Sequence, residues 1–156
     1  IVGYNFGAQK IDRVKQTLRL GIISGVVITS SGFVICEFFP HAVSALFTDS
    51  DELINLAVEG IRLAVLMFPF VGAQIVIGNF FQSIGKAKIS IFLSLTRQLL
   101  YLLPCLLLFP QWWGLKGVWI SMPVSDALAF VTAVISLMIY IKKVSKEHPI
   151  ANKVAE

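Results

Sequence analysis

Three polar side chains stand deep inside long apolar stretches of the sequence: Gln74, Arg97 and Asp126. In hydrocarbon each is costly unless it finds a partner or faces a water-filled cavity. One interpretation makes them candidates for a substrate or ion pathway, with Arg97 and Asp126 as a charge pair beside it. The other is a neutralised pair that only holds two helices together. The sequence leaves both interpretations open.

The sequence shows no set of residues that would indicate an enzyme. The sequence contains no HExxH, no GxSxG, no phosphate-cradling glycine loop and no cysteine pair at metal-ligand spacing. Cys36 and Cys105 lie within apolar runs, where free cysteine is typically a small buried hydrophobe. His41 and His148 fall on opposite sides of the predicted membrane. We therefore expect no enzyme, no metal and no cofactor.

The composition indicates lipid as the solvent. Hydrophobic residues make up 56% of the chain and charged residues only 14%, with a mean hydropathy of +0.81. Soluble proteins average about 25% charged residues, which they need to cover their surface. The net charge of +4 does not indicate nucleic acid, because the basic residues sit in short runs between apolar stretches. Such runs are typical of segments that flank membrane helices and contact membrane lipids.

Four stretches are long and apolar enough to cross a hydrocarbon layer ~30 Å thick as helices of about 20 residues. They are residues 20–39, 62–81, 89–109 and 118–141. Strands are excluded because an open sheet leaves backbone groups unpaired in lipid and these runs show no barrel alternation. The predicted fold class is therefore an all-α integral membrane protein with four transmembrane helices.

The predicted organisation has three parts. Residues 1–19 are expected to be the end of a preceding span and a basic loop, residues 20–141 the four-helix segment, and residues 142–156 a tail. The chain opens without an initiator methionine, so we expect it to be the C-terminal part of a longer protein.

The distribution of charge predicts the orientation. Ten of the thirteen basic residues fall on one side of the four spans: Lys10, Arg13, Lys15, Arg19, Lys86, Lys88, Lys142, Lys143, Lys146 and Lys153. The other side carries Lys116 and four acidic residues. Cytoplasmic loops are the lysine- and arginine-rich ones. We therefore expect the C-terminus in the cytoplasm and Trp112, Trp113 and Trp119 at the outer interface. The expected location is the plasma (bacterial inner) membrane.

Depth along the helices suggests that Arg97 and Asp126 can meet. Arg97 lies about nine residues into the third span and Asp126 about eight residues into the fourth from the opposite end, ~12–13 Å in each case. Antiparallel neighbours at these depths differ by only about two turns, which an arginine side chain can largely bridge. Gln98 points about 100° away from Arg97 around the helix, so it need not share the same cavity.

Small residues and prolines predict how the helices pack and bend. Gly21 and Gly25 form a small-xxx-small pattern, which lets another helix approach closely. Pro69, Pro104 and Pro123 interrupt three spans, and each removes a backbone hydrogen bond and can bend its helix.

The second span is expected to be part of one long helix. Asp49 and Glu52 have the spacing of a capping box, which predicts a helix that starts near residue 50. The helix is expected to run to about residue 83, with Gly85 as its C-terminal stop.

Four segments in order resemble the multidrug and toxic compound extrusion (MATE) family. They are residues 3–8 (GYNFGA) before a basic stretch, residues 46–49 (LFTD) before a helix, residues 80–86 (FFQSIGK) and residues 114–119 (GLKGVW). The last two are similar to the end of the family's tenth helix and the entry of its twelfth. The resemblance covers nearly the whole chain, and the ordered set is more specific than any one motif.

The resemblance implies that the chain is the end of helix 8 and helices 9–12 of a twelve-helix, two-lobe transporter. It implies export of organic cations or other small amphiphilic substrates in exchange for Na⁺ or H⁺ by alternating access. The implied partners are membrane lipids and the remaining helices, namely the N-terminal lobe and helices 7–8. The sequence departs from the family because its second span has no embedded carboxylate, which leaves Asp126 as the only deep acid.

Two alternatives remain beside this hypothesis. A lipid-linked or polysaccharide flippase of related architecture would be favoured by a wide, strongly cationic lumen, which Arg97 alone does not make. A non-transporting membrane scaffold predicts that Gln74, Arg97 and Asp126 are all satisfied by neighbouring groups, with no water-filled cavity beside them.

Overall fold

The computed structural model describes residues 1–147, except for the side chains of residues 145–147. This part of the chain is helical and contains no strand. Its elements are α1 (Val2–Gly7), α2 (Ile11–Phe38), α3 (Pro40–Ala45), α4 (Asp51–Ala64), α5 (Phe68–Ser83), α6 (Ala87–Leu95), a π-helix (Thr96–Leu102) and α7 (Leu103–Glu147). His148 and Lys153, and with them most of the predicted tail, lie outside the described residues.

The helical run from α6 to α7 reverses its direction at Gly114. Gly114 has φ 54° and ψ −134°, a backbone conformation that glycine adopts readily. Two side-chain hydrogen bonds cross the run, one from Arg97 to Asp126 and one between Tyr101 and Thr132. These partners are 29 and 31 positions apart in the sequence, and a straight helix would separate them by ~45 Å. The run is therefore an antiparallel hairpin, and residues 115–147 are called the return segment below.

The four predicted membrane-crossing segments are confirmed. Helix α2 and the run Ala87–Val144 are each long and apolar enough to cross a membrane, and α4 with α5 passes the same test as a bent pair. The run folds back at Gly114 and so supplies two crossings. The hairpin turn between α5 and α6 and the end of the return segment form the lysine end of the bundle. Trp112 and Trp113, both exposed, mark the opposite, tryptophan end.

The predicted continuous helix from residue 50 to 83 is wrong. Helices α4 and α5 meet at an angle of 53°, with residues 65–67 between them. Pro69 explains the break because it lacks an N–H donor and its ring clashes with the carbonyl four residues earlier, that of Val65. The predicted capping box is also wrong: the N-cap of α4 is Ser50, and it makes no side-chain capping hydrogen bond.

Residues 1–19, predicted to be the end of a preceding span and a basic loop, are largely helical. Helix α2 begins at Ile11, nine residues before the predicted span, and α1 precedes it with Gln9 at φ 55° in the connection. Val14 and Leu18 are buried, and they stand four residues apart on one face of α2. Burial of this apolar face stabilises the basic segment as a helix, and the charged side chains of the segment stay exposed.

The main cluster of buried residues lies near the lysine end. It contains Val14, Leu18, Ile77, Phe80, Phe81, Ile84, Leu93 and Ala133. Helix α5 ends there as predicted: Gly85 has φ 76°, and the N–H groups of Gly85 and Lys86 donate to the carbonyls of Gln82 and Phe81 at 3.1 and 2.8 Å. This pair of bonds is the Schellman motif.

Helices α2 and α5 pack backbone to backbone through glycine. A Cβ atom on Gly72 would collide with the carbonyl of Gly25 and with the hydroxyl of Thr29. A Cβ on Gly25 would lie 3.0 Å from the carbonyl oxygen of Gly72, and one on Gly21 would lie 3.2 Å from the side chain of Val76. Gly21 and Gly25 therefore face α5, and the contact between the two helices depends on residues without side chains.

Candidate functional site

A polar cleft of about 280 Å³ lies between α5 on one side and α6 with the π-helix on the other. Ten described residues line it, of which seven are polar and none is acidic: Gln74, Ile75, Gly78, Asn79, Gln82, Ser90, Leu93, Ser94, Arg97 and Gln98. In a chain that crosses lipid, such a set is costly unless the residues pair or contact water. This polar cleft is therefore the candidate functional site.

The cleft runs from the lysine end to the middle of the bundle. From α5 it receives Gln74, Gly78 and Gln82, which follow one another at four-residue spacing and so share a helix face. Gln74 and Arg97 are each about ten residues from the helix ends beside Gly85, ~15 Å along the helix axes. The deepest polar groups of the cleft therefore lie near the centre of the membrane-crossing segments.

Arg97 enters the cleft with a counter-charge behind it. Its Nε donates to Oδ1 of Asp126 in the return segment at 2.8 Å, so the predicted contact between these two residues is confirmed. The Asp126 side chain is only 8% exposed, whereas that of Arg97 is 36% exposed. The pair thus neutralises the only charged residue of the cleft lining and ties the cleft to the fourth span.

A π-helix carries Arg97. Residues Thr96–Leu102 form this wider helix, and Pro104 follows two residues after its end. A proline ring crowds the carbonyl four residues earlier, that of Leu100, and a locally widened helix relieves this clash. Short π-helices are frequent at functional sites. On the same segment the Tyr101 hydroxyl lies 2.8 Å from the Thr132 hydroxyl, a second bond to the return segment.

Gln74 is the deepest amide in the cleft and is incompletely satisfied. The residue is 8% exposed, and its Oε1 is buried with no hydrogen-bond partner among the described residues. Buried side-chain oxygens in folded proteins are nearly always paired with protein or water. Gln74 therefore lines the cleft as its most buried amide, while the oxygen of that amide is inaccessible and has no partner among the described residues.

The structure brings Gln74 and Arg97 together in one cleft and places Asp126 behind Arg97. Gln98 also lines the cleft, although a separation of about 100° had suggested that it need not. Adjacent residues can border one groove from its two sides. Ser90 and Ser94 were missed, yet Ser90, Ser94 and Gln98 repeat at four-residue spacing, a stripe visible in the sequence.

The ion pairs at the tryptophan end are more exposed than the pair of Arg97 with Asp126. Glu37 and Arg62 approach to 3.8 Å, and Lys116 and Glu59 to 2.7 Å. Three of these four side chains are more than 40% exposed, so each pair is expected to contribute little. The part of the chain that the structure describes contains no cluster of side chains suited to a metal ion.

Four membrane-crossing helical segments, two of which border an intramembrane polar cleft, define a polytopic α-helical membrane protein with the features of a transporter. Residues 1–107, more than half of the chain, match the family model described as MatE. The chain belongs to the MatE family, as the resemblance of its sequence motifs implied.

Known proteins similar to this chain support the assignment. It is 28% identical over 125 residues to a probable multidrug resistance protein, NorM, of Pseudomonas aeruginosa, with 76% of this chain and 26% of that protein covered. Two solved structures of a multidrug resistance MATE family transporter, each 19% identical, also match. The inward-facing structure has a TM-score of 0.87, with 94% of this chain and 34% of that structure's chain covered. The outward-facing structure has a TM-score of 0.86, with 93% of this chain and 33% of that structure's chain covered. The chain therefore spans about a quarter to a third of these relatives.

Proposed function

We propose that this chain is part of a secondary active antiporter that exports organic cations or amphiphilic drugs in exchange for Na⁺ or H⁺. Membership of the MatE family supports the class, and the NorM relative is itself described as a probable multidrug resistance protein. The remaining transporter helices, an N-terminal lobe and helices 7–8, would complete the pathway. The lysine end would face the cytoplasm of a bacterial inner membrane, because basic residues concentrate there.

The polar cleft is the observation that carries the proposal. A membrane scaffold would satisfy its buried polar groups and leave no cavity beside them. Here Gln74 keeps an unpaired buried oxygen and shares a cleft of about 280 Å³ with six other polar residues. Polar groups held open at this depth are typical of substrate and ion pathways.

Alternating access is supported by the shape of the chain. The same fold matches an inward-facing and an outward-facing transporter structure almost equally, with TM-scores of 0.87 and 0.86. A segment that fits both states equally is expected to move as one body. The transition would then change its position relative to the remaining helices, as in rocking transporters.

A strongly cationic lumen would favour the flippase alternative, and the described lining of the polar cleft is not strongly cationic. Arg97 is the only basic residue of the cleft, and its charge is neutralised by Asp126. Neutral amides and hydroxyls form the rest of its polar surface. This lining suits a small amphiphile better than a polyanionic lipid-linked headgroup.

Efflux of a fluorescent organic cation from vesicles that carry the complete transporter tests the proposal. We expect either an Na⁺ or a proton gradient, imposed separately, to drive transport, and Gln74→Leu to reduce it several-fold. Val71→Ile, on the same stretch of α5 but outside the lining of the polar cleft, is the matched control and should transport normally. Transport that neither gradient drives would contradict the antiporter proposal. Asp126→Asn with unchanged coupling would remove Asp126 from the coupling step.

A further inference from the structure

A second, larger cavity lies at the lysine end of the bundle. Its volume is about 710 Å³, and it opens between the start of α6, the end of the return segment and α1. It shares no lining residue with the polar cleft. We call it the basic cavity because Lys86 and Lys143 line it and no acidic residue is among its described lining residues.

The cavity exists because two neighbouring helices separate toward their ends. The hydrogen bonds of Arg97 to Asp126 and of Tyr101 to Thr132 hold the π-helix against the return segment near the middle of the membrane-crossing segments. Closer to the lysine end, α6 and the return segment make few contacts with each other. The positive φ of Gly85 turns the chain so that Lys86 becomes the N-cap of α6 at the mouth of the opening.

The walls of the basic cavity are apolar and partly rigid. Ile89 and Ile139 line it, and Ile139 is 64% exposed. The ring of Tyr140 packs edge-on against Phe81 and Phe80, with centroids 5.5 and 6.1 Å apart, so its position is fixed by the core. Lysines at the mouth above an apolar wall match a molecule with an anionic head and a hydrocarbon tail.

We propose that the basic cavity binds an anionic phospholipid, with its phosphate-bearing headgroup between Lys86 and Lys143 and an acyl chain along Ile89 and Ile139. Lys86 precedes the third span and Lys143 follows the fourth, so both side chains lie at the level of lipid headgroups. Basic pockets between membrane helices on the cytoplasmic side are known to bind acidic lipid headgroups. The proposal needs the positive charges of both lysines, whatever other contacts Lys143 makes. It requires that the chain spans a membrane, not that it exports drugs.

Thermal unfolding of the complete transporter in zwitterionic micelles tests the proposal. Short-chain phosphatidylglycerol is titrated in, and the same is done with phosphatidylcholine and with sn-glycerol 3-phosphate. We expect phosphatidylglycerol alone to raise Tm in a saturable manner. Lys86→Gln and Lys143→Gln should each raise the phosphatidylglycerol concentration at the midpoint of the titration roughly fivefold. This factor corresponds to the binding free energy expected from one lysine beside an anionic lipid. Tm in phosphatidylcholine alone shows whether each variant is folded.

Lys88→Gln is the matched control because Lys88 stands two residues from Lys86 and does not line the cavity. It should leave the phosphatidylglycerol midpoint within twofold of the unmodified transporter. An equal fivefold change in Lys88→Gln would overturn the proposal in favour of diffuse surface charge. A response to phosphatidylcholine as large as that to phosphatidylglycerol, or saturation by glycerol 3-phosphate alone, would overturn it as well.

Discussion

The two faces of helix α5 make opposite kinds of contact. Gly72 and Val76, four residues apart, face α2, and Gly72 meets the backbone at Gly25 directly. Gln74, Gly78 and Gln82 face α6 and the π-helix across the polar cleft, and there the helices stand apart. Close backbone packing removes space and fixes geometry, whereas polar groups at a gap keep it open to water. One helix thus connects a tight structural contact to a candidate pathway.

Loss of Arg97 is expected to have the largest effect on stability. Arg97→Gln leaves the carboxylate of Asp126 buried without its partner, which costs about 3 kcal/mol, the low end for a broken buried ion pair. The low end applies because Arg97 is 36% exposed and already partly solvated. The free energy of unfolding in mixed micelles measures the effect.

A double variant shows whether the Arg97 effect comes from the pair. Arg97→Gln combined with Asp126→Asn should recover at least half of the loss, because no unpaired charge remains. Strictly additive losses from the two changes would contradict the ion pair that the structure shows.

Gly72→Ala tests the tight face of α5. The added methyl group collides with the Gly25 carbonyl, which belongs to backbone and cannot move aside easily, so we expect a loss of about 2 kcal/mol. Gly78→Ala on the open face is the control, since no atom lies within 4 Å of a Cβ built there. Lower Tm in Gly72→Ala than in Gly78→Ala is the expected result. Equal Tm values would mean that the two faces do not differ in packing.

Tyr101→Phe is expected to have the smallest effect. It removes one hydroxyl of a pair that is 2.8 Å apart, and Thr132 retains its bond to the carbonyl of Leu128. The loss should therefore be about 1 kcal/mol or less. Tyr4→Phe, at a residue that is 81% exposed, serves as the reference in the same unfolding measurement. A loss above that of Gly72→Ala would invert the order proposed for these contacts.

The sequence predicted the features that the bilayer constrains, and it did not predict local changes in the helices that depend on single residues. The four crossing segments, the terminator Gly85 and the contact of Arg97 with Asp126 follow from length, hydropathy and depth, which the bilayer constrains strongly. The break at residues 65–67 was missed because a proline predicts a disturbance but not whether the helix bends or ends. The start of α2 was assigned to a basic loop because its many charges outweighed the small apolar face of Val14 and Leu18.

The polar cleft was only partly predictable for a similar reason. Gln74 and Arg97 stood out because isolated polar groups are conspicuous in apolar runs. Ser90 and Ser94 did not, since serine bonds readily to its own helix and is common in membrane segments. Their assignment to the cleft depended on the pairing of α5 with α6, which the structure supplies.

Thiol accessibility is the most direct test of the central claim that an aqueous cleft penetrates the bundle. In the complete transporter with Cys36 and Cys105 replaced by alanine, Ser94→Cys should react with a water-soluble, membrane-impermeant thiol reagent added from the lysine side. Leu128→Cys, at an apolar position of the return segment that does not line the polar cleft, should remain unlabelled because no aqueous space reaches it. Labelling of Ser94→Cys at a rate no greater than that of Leu128→Cys would contradict the account.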